Sequence, residues 1–197
     1  MNESARLLPL SAILLALLLG GCAPRGESPP LEGATMGGAF ALTDQNGRRV
    51  SDGDFAGKYR LVYFGFTFCP DVCPVDMATL AAGLRRFEAA DPARAARVQP
   101  IFITVDPVRD TPAVLRQFVA AFHPRFVGLT GSETEIAQVA RRYRIFYERA
   151  APAPGGAYNV NHTQMAVLYD PAGAPIVLVP HDEGPEGVAA ELDRWVR

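Results

Sequence analysis

Two cysteines four positions apart are the residues of this sequence best placed to do chemistry. Cys69 and Cys73 directly follow an apolar and aromatic run, Leu61–Phe66, which predicts a buried strand. Pro74 then opens a segment with helical periodicity, and proline is well tolerated in a first helical turn. The cysteines are therefore predicted to lie at a strand-to-helix junction on the rim of a sheet. Residues i and i+4 of a helix share one face, so both sulfur atoms could reach a common point.

Such a junction allows several kinds of chemistry. The unpaired N–H groups of a helix start favour thiolate over thiol, and a thiolate serves as a nucleophile or a metal ligand. The spacing also permits a disulfide if the two Cα atoms lie within about 4.4–6.8 Å of each other. A static disulfide and two buried small apolar residues are the structural alternatives. A redox dithiol in a thioredoxin-like protein usually has two intervening residues, whereas this pair has three, which argues against ordinary disulfide exchange.

Two thiolates would favour a soft ion such as Cu(I), and an imidazole would complete a trigonal site. Zinc fits less well, because two cysteines and one histidine fall short of its usual four ligands. His123 stands at a predicted helix end, where a structural or capping role is expected. His181 follows the last strand and is expected to be solvated. His162 lies between a Pro/Gly-rich loop and a strand, where it either reaches the rim or merely hydrogen-bonds its neighbours.

Acidic residues near the cysteines could accept hydrogen bonds from metal ligands and so orient them. Asp71 lies between the cysteines, and Asp106 and Asp110 lie in the loop that follows the next predicted strand. The alternative is that Asp71 complements a helix N-terminus and that Asp110 caps a helix through its Asp-Thr-Pro context. Neither a phosphate-cradling glycine loop nor a Ser/His/Asp arrangement is apparent.

The composition is that of an ordinary globular protein. The chain has 197 residues, of which 49% are hydrophobic and 20% charged, enough for one domain with a sizeable core. Nineteen basic and twenty-one acidic residues give a net charge of -2. No basic run appears, so nucleic acid is not an expected partner.

The first residues resemble a bacterial lipoprotein signal peptide. Arg6 precedes an apolar run, Leu7–Leu19, and small residues follow before Cys22. The run is shorter than the about 17–25 residues of a membrane span. We expect a signal peptide over 1–22 with lipidation at Cys22, rather than an uncleaved anchor or a plain signal peptide. The domain would then be exported and lipid-anchored to a bacterial membrane, in the periplasm or otherwise outside the cytoplasmic membrane.

The rest of the chain divides into a tether and one domain. Residues 23–38 are rich in Pro, Gly and Ser and predict a flexible tether, and residues 39–197 form the domain. The order strand–helix–strand, insertion, strand–strand–helix predicts a thioredoxin-like α/β sandwich with a central mixed sheet flanked by helices. Further predicted elements are a hairpin over 40–50, strands at 98–105, 126–129, 145–148, 163–169 and 176–179, and helices over 75–90 and 187–196 and beginning near 111 and 132.

Four segments of the sequence resemble the Sco/SenC family. The cysteine segment Phe64–Pro74 is similar to the family signature, and Val105–Pro112 resembles its second motif. Phe122–Gly131 and the region around His162 are similar as well, and the similarity runs from roughly Phe40 to the C-terminus. The resemblance implies a membrane-anchored, thioredoxin-like protein that delivers copper to the CuA site of cytochrome c oxidase, or keeps the cysteines of that site reduced.

The resemblance also implies a ligand set. It assigns copper, as Cu(I) or Cu(II), to Cys69, Cys73 and His162, with a Cys69–Cys73 disulfide in the oxidised form. The implied partners are the CuA-bearing oxidase subunit and a periplasmic copper donor or thiol reductant, since thiols oxidise readily outside the cytosol. Asn161 stands where the family usually has an acidic residue, so a carboxylate that would raise the basicity of the imidazole is missing there.

Two enzymatic interpretations remain beside the copper chaperone. A thiol–disulfide oxidoreductase acting on the oxidase subunit would need Cys69 and Cys73 but not His162. A thiol peroxidase is disfavoured, because Thr67-Phe68-Cys69 lacks the Thr-x-x-Cys spacing of peroxiredoxins.

Overall fold

A computed structural model describes residues 27–197, so Cys22 and the predicted signal peptide lie outside the described residues. Its strands are β1 (Ala41–Asp44), β2 (Arg49–Ser51), β3 (Tyr59–Gly65), β4 (Val98–Thr104), β5 (Val127–Thr130), β6 (Tyr147–Arg149), β7 (Val160–His162), β8 (Ala166–Tyr169) and β9 (Pro175–Val179). Its α-helices are α1 (Val72–Ala90), α2 (Pro92–Ala95), α3 (Pro112–Phe122), α4 (Glu133–Arg142) and α5 (Gly184–Trp195). Between residues 27 and 197, no helix combines the length and the apolar character needed to cross a membrane.

The core of the fold is a seven-stranded mixed sheet in the order β2-β1-β5-β4-β3-β8-β9. Strand β3 is buried along its whole length, as expected of a strand covered on both faces. It pairs in parallel with β4 and antiparallel with β8, and β8 pairs antiparallel with β9. This combination of parallel and antiparallel pairs confirms the predicted central mixed sheet.

Alternate residues of β3 enter two separate cores. Leu61 and Tyr63 belong to the core that also contains the apolar stripes of α1, α3 and α5. Val62 and Phe64 belong to the core on the opposite face, which contains the stripe of α4. The sheet is therefore flanked by helices on both faces, which confirms the predicted α/β sandwich.

Helix α1 begins at Val72, two residues before Pro74. Proline is accepted here because the first N–H groups of a helix have no intrahelical partner. Cys73 consequently lies inside the first turn rather than before it. The apolar stripe of α1, which is buried, comprises Met77, Leu80, Ala81, Leu84 and Phe87.

A small second sheet holds the insertion. Strands β6 and β7 pair antiparallel, with Tyr147 opposite His162. The Pro/Gly-rich loop that precedes His162 connects them. Strand β7 is not predicted from the sequence, because three residues are too few to show a period.

The described part of the predicted tether lies against the domain. In residues 27–38, the Leu31 N–H donates to the Ile176 carbonyl and the Gly37 N–H donates to the Arg142 carbonyl, both at 2.9 Å. These contacts differ from the flexible tether expected for this segment. A composition rich in Pro and Gly disfavours regular structure, but it does not prevent backbone hydrogen bonds to a neighbouring element.

Candidate metal centre

The two cysteines flank the start of α1. Cys69 is partly exposed in the preceding loop, whereas Cys73 is the second residue of the helix and fully buried. The Cys73 N–H donates to the Cys69 sulfur at 3.4 Å, and neither sulfur is in a disulfide. Burial raises the pKa of the Cys73 thiol well above its ordinary value. The pair thus combines one accessible and one enclosed thiol.

His162, at the end of β7, directly contacts Cys73. Its Nε2 lies 3.2 Å from the Cys73 sulfur, and its Nδ1 lies 3.0 Å from the Thr163 carbonyl oxygen. A carbonyl oxygen only accepts, so Nδ1 carries the proton and the lone pair of Nε2 faces the thiol. Burial lowers the pKa of His162, which favours the neutral imidazole that binds metals. Phe66 presents its ring edge-on to this imidazole at 5.9 Å.

A cavity of about 260 Å³ is lined by four of the predicted site residues. Cys69, Asp71, Asn161 and His162 all contribute to its lining. Asp71 and Asn161 are exposed, and Asp71 makes no capping bond although it directly precedes the helix. Within residues 27–197, no three His, Cys, Asp or Glu side chains already converge as metal ligands.

Asp106 does not reach the cysteines but anchors the insertion beside them. Its carboxylate is buried, accepts a hydrogen bond from the Tyr158 hydroxyl at 2.9 Å and pairs with Arg109. The Arg109 guanidinium lies 3.7 Å from the ring centroid of Tyr158 and 5.0 Å from that of Phe68. These contacts join the loop that carries Cys69 to the insertion that precedes β7.

Asp110 has a different role from the cap that its sequence context predicts. Its buried carboxylate accepts from the N–H and hydroxyl of Thr67, at 3.0 and 2.6 Å, and from the Thr104 hydroxyl at 2.5 Å. Burial raises the pKa of Asp110. The helix cap is Thr111, whose hydroxyl accepts from the Val114 N–H at 3.4 Å. Asp110 therefore fixes the start of the cysteine loop to β4.

The other two histidines have structural partners. His123 follows the end of α3 and its Nε2 lies 3.1 Å from Glu88, as expected of a structural residue. The prediction that His181 is solvated is wrong, because its side chain is only 11% exposed and lies 3.4 Å from Asp76. Asp76 also accepts a hydrogen bond from the Tyr63 hydroxyl at 2.6 Å. His181 and Asp76 are more than a hundred residues apart in the chain, so no local sequence pattern could have revealed this pair.

Comparison with known proteins identifies relatives across most of the domain. The family model described as SCO1/SenC matches residues 28–197. The mitochondrial protein SCO2 homolog of Bos taurus is 46% identical over 136 residues, covering 69% of this chain and 50% of that protein. The chain spans about half the length of the curated relatives it matches.

Solved structures show the same architecture. The structure of Bradyrhizobium japonicum ScoI with copper bound is 39% identical, with a TM-score of 0.73, and the alignment covers 81% of this chain and 99% of that one. The thioredoxin domain of a thiol–disulfide oxidoreductase from Bacteroides vulgatus is 17% identical, with a TM-score of 0.56, over 87% of this chain and 97% of that one. The second likeness concerns the fold alone, and it confirms that the fold is thioredoxin-like.

Proposed function

Because the chain belongs to the SCO1/SenC family, we propose that it is a copper chaperone that delivers copper to the CuA site of cytochrome c oxidase. The copper is held by the thiolates of Cys69 and Cys73 and by Nε2 of His162. The observation that carries this proposal is the 3.2 Å contact between the Cys73 sulfur and His162 Nε2. Copper bound to the related Bradyrhizobium japonicum protein supports the choice of metal.

The ligand set suits transfer as well as binding. Two soft thiolates and one imidazole favour Cu(I), and three ligands leave one side of the ion open to an incoming thiolate or thioether. Copper can then pass by stepwise ligand exchange, with the partly exposed Cys69 as the ligand nearest to solvent. Loading releases the thiol protons, so copper affinity rises with pH. Cu(II) is a second oxidation state in which the same ligands could hold copper.

Oxidation of the two cysteines controls loading in this proposal. Forming the Cys69–Cys73 bond removes two protons and two electrons, which pass to an oxidant or to a disulfide of the partner. Both thiolate ligands disappear with that bond. A thiol reductant outside the cytosol is therefore needed before copper can bind again.

A thiol–disulfide oxidoreductase is the second candidate function, and the unequal exposure of the two cysteines favours it. Cys69 is accessible and can attack a disulfide of the oxidase subunit, which forms a mixed disulfide and releases one thiolate. The enclosed Cys73 then displaces the second thiolate and closes the Cys69–Cys73 bond. Two electrons pass to the substrate, and His162 has no part in the reaction.

The proposed location rests on the predicted signal peptide. We propose that Cys22 is lipidated and holds the domain at a bacterial membrane, where the CuA-bearing subunit and a periplasmic copper donor or thiol reductant are its partners. Mass spectrometry of the N-terminal peptide from cells should find a lipidated Cys22. The Cys22→Ser variant should carry no lipid at this position, and an unmodified Cys22 in the membrane fraction would contradict the proposal.

An anaerobic titration of the fully reduced chain with Cu(I) tests the chaperone proposal. One copper per chain is expected, with stoichiometric binding lost in Cys69→Ser and in Cys73→Ser. His162→Ala should bind about tenfold more weakly, whereas His123→Gln, a change at a histidine away from the cysteines, should bind normally. Binding that is indifferent to His162 would favour the oxidoreductase.

A further inference from the structure

A carboxylate and a second histidine lie behind the candidate metal centre. Asp76 stands on α1 one turn after Cys73, and its Oδ2 accepts from the Tyr63 hydroxyl and lies 3.4 Å from His181 Nε2. The side chains of Asp76 and His181 are 16% and 11% exposed. They border a cavity of about 360 Å³, and Gln164 lines both this cavity and the one at the cysteines. The pair is therefore adjacent to the candidate centre.

Tyr63 connects this pair to the metal centre. Its ring is fully buried and stands edge-on to His162 at 6.4 Å and to His181 at 5.8 Å. The hydroxyl donates to Asp76, so the ring cannot swing away from the two imidazoles without breaking that bond. The negative charge of Asp76 also opposes the lowering of the pKa of His162 by burial. Asp76 thus acts on the imidazole both through Tyr63 and through its charge.

We infer that Asp76, Tyr63 and His181 form a charge-balanced support that positions His162 and sets the preference of the centre between Cu(I) and Cu(II). Asp76 is the positioning residue, and it supplies from α1 the negative charge that Asn161 does not. Asn161 is exposed, and within residues 27–197 it makes no hydrogen bond to the imidazole. The inference rests on the proposed copper function.

The charges of Asp76 and His181 determine the direction in which each residue changes the preference between Cu(I) and Cu(II). Cu(I) with two thiolates and a neutral imidazole has a net charge of minus one, whereas Cu(II) with the same ligands is neutral. The carboxylate of Asp76 therefore disfavours Cu(I) relative to Cu(II), because like charges repel. A protonated His181 has the opposite effect. Removing the two groups separately should change the preference in opposite directions, whereas a general loss of structure would weaken both oxidation states together.

The experiment measures the Cu(I) and Cu(II) affinities of the full chain by competition with chelators of known affinity. At about pH 5.5, where a histidine stays protonated even without a carboxylate partner, the ratio of Cu(I) to Cu(II) affinity should rise about tenfold in Asp76→Asn, whose amide oxygen still accepts from Tyr63. This is the lower end of the about 10- to 100-fold effects of residues that support metal ligands. In His181→Gln the ratio should fall. Asp76→Ala also removes the acceptor for Tyr63, so it should additionally weaken both affinities.

A matched pair on the same helix provides the control. Glu88 lies on α1 and is paired with His123 at 3.1 Å, so Glu88→Gln and His123→Gln remove equivalent groups away from the cysteines. Neither control should change the ratio. Copper binding with an unchanged ratio in Asp76→Asn, or shifts of the same sign in Asp76→Asn and His181→Gln, would overturn this inference alone. A wild-type chain that binds no copper would overturn the proposed function together with it.

Discussion

Replacing Gly65 by alanine should disturb the metal centre from inside the sheet. Gly65 ends β3 directly behind Cys73, and a Cβ there would lie 3.1 Å from the Cys73 sulfur. It would also lie 3.0 Å from Phe102 Cε2 and 3.0 Å from Tyr63 Cε1. Carbon atoms pack best at about 3.5–4.0 Å, so each neighbour has to move by a few tenths of an ångström.

The size of the effect follows from these contacts. Inserting a methyl group into a packed core costs about 1–3 kcal/mol, and replacing glycine by alanine regains about 0.4–1 kcal/mol from the unfolded chain. Gly65→Ala should therefore lower the free energy of unfolding by about 1–2 kcal/mol in a urea titration. Because the displaced Cys73 sulfur leaves its position against His162, copper affinity should fall about tenfold in the same protein.

Gly128→Ala is the matched control. A Cβ on Gly128 would lie 3.1 Å from Val119 Cγ1 and 3.3 Å from Leu115 Cβ, so the crowding is similar. These neighbours belong to α3, so the free energy of unfolding should fall comparably while copper affinity stays at the wild-type value. Unchanged copper affinity in Gly65→Ala, or equal losses of affinity in both variants, would refute the reasoning.

Three further predictions test other parts of the structure. The hydrogen bond to Asp76 raises the pKa of His181. The stabilisation that the protonated His181 gives the folded state is therefore complete below about pH 6.5 and is lost as the pH rises through the folded-state pKa. In urea titrations, His181→Gln should lower the free energy of unfolding more at about pH 5.5 than at about pH 9. Iodoacetamide should modify Cys69 before Cys73, because Cys73 is buried and its pKa is raised; peptide mass spectrometry gives the order, and the reverse order would contradict this. Arg109→Met leaves the Asp106 carboxylate buried without its cation and should cost about 3–5 kcal/mol in thermal unfolding, so a loss below about 1 kcal/mol would contradict this.

The long elements of the fold could be predicted because their burial repeats along the chain. The strand predicted at the apolar run Leu61–Phe66, present as β3, and the helix predicted over 75–90 are examples, and the hairpin predicted over 40–50 is present as β1 and β2. The three-residue β7 and the four-residue α2 are too short to carry a period. Their positions are set by tertiary contacts that local sequence does not show.

The candidate site was only partly accessible to sequence reasoning. The spacing of Cys69 and Cys73 pointed to a shared site, whereas His162 depended on a loop whose path the sequence does not determine. Asp110 followed a local capping pattern, yet the structure uses its carboxylate to bind Thr67, 43 residues away. Polar partners that are distant in the sequence meet only through the fold, so capping rules and periodicity could not reveal them.

X-ray absorption spectroscopy of the reduced, Cu(I)-loaded chain tests the central claim most directly, because it identifies the atoms bound to copper. The account predicts two sulfur ligands and one imidazole nitrogen. The nitrogen should be lost in His162→Ala and retained in His123→Gln. A spectrum with sulfur ligands alone in the wild-type protein, or an imidazole signal that survives His162→Ala, would contradict the proposed centre.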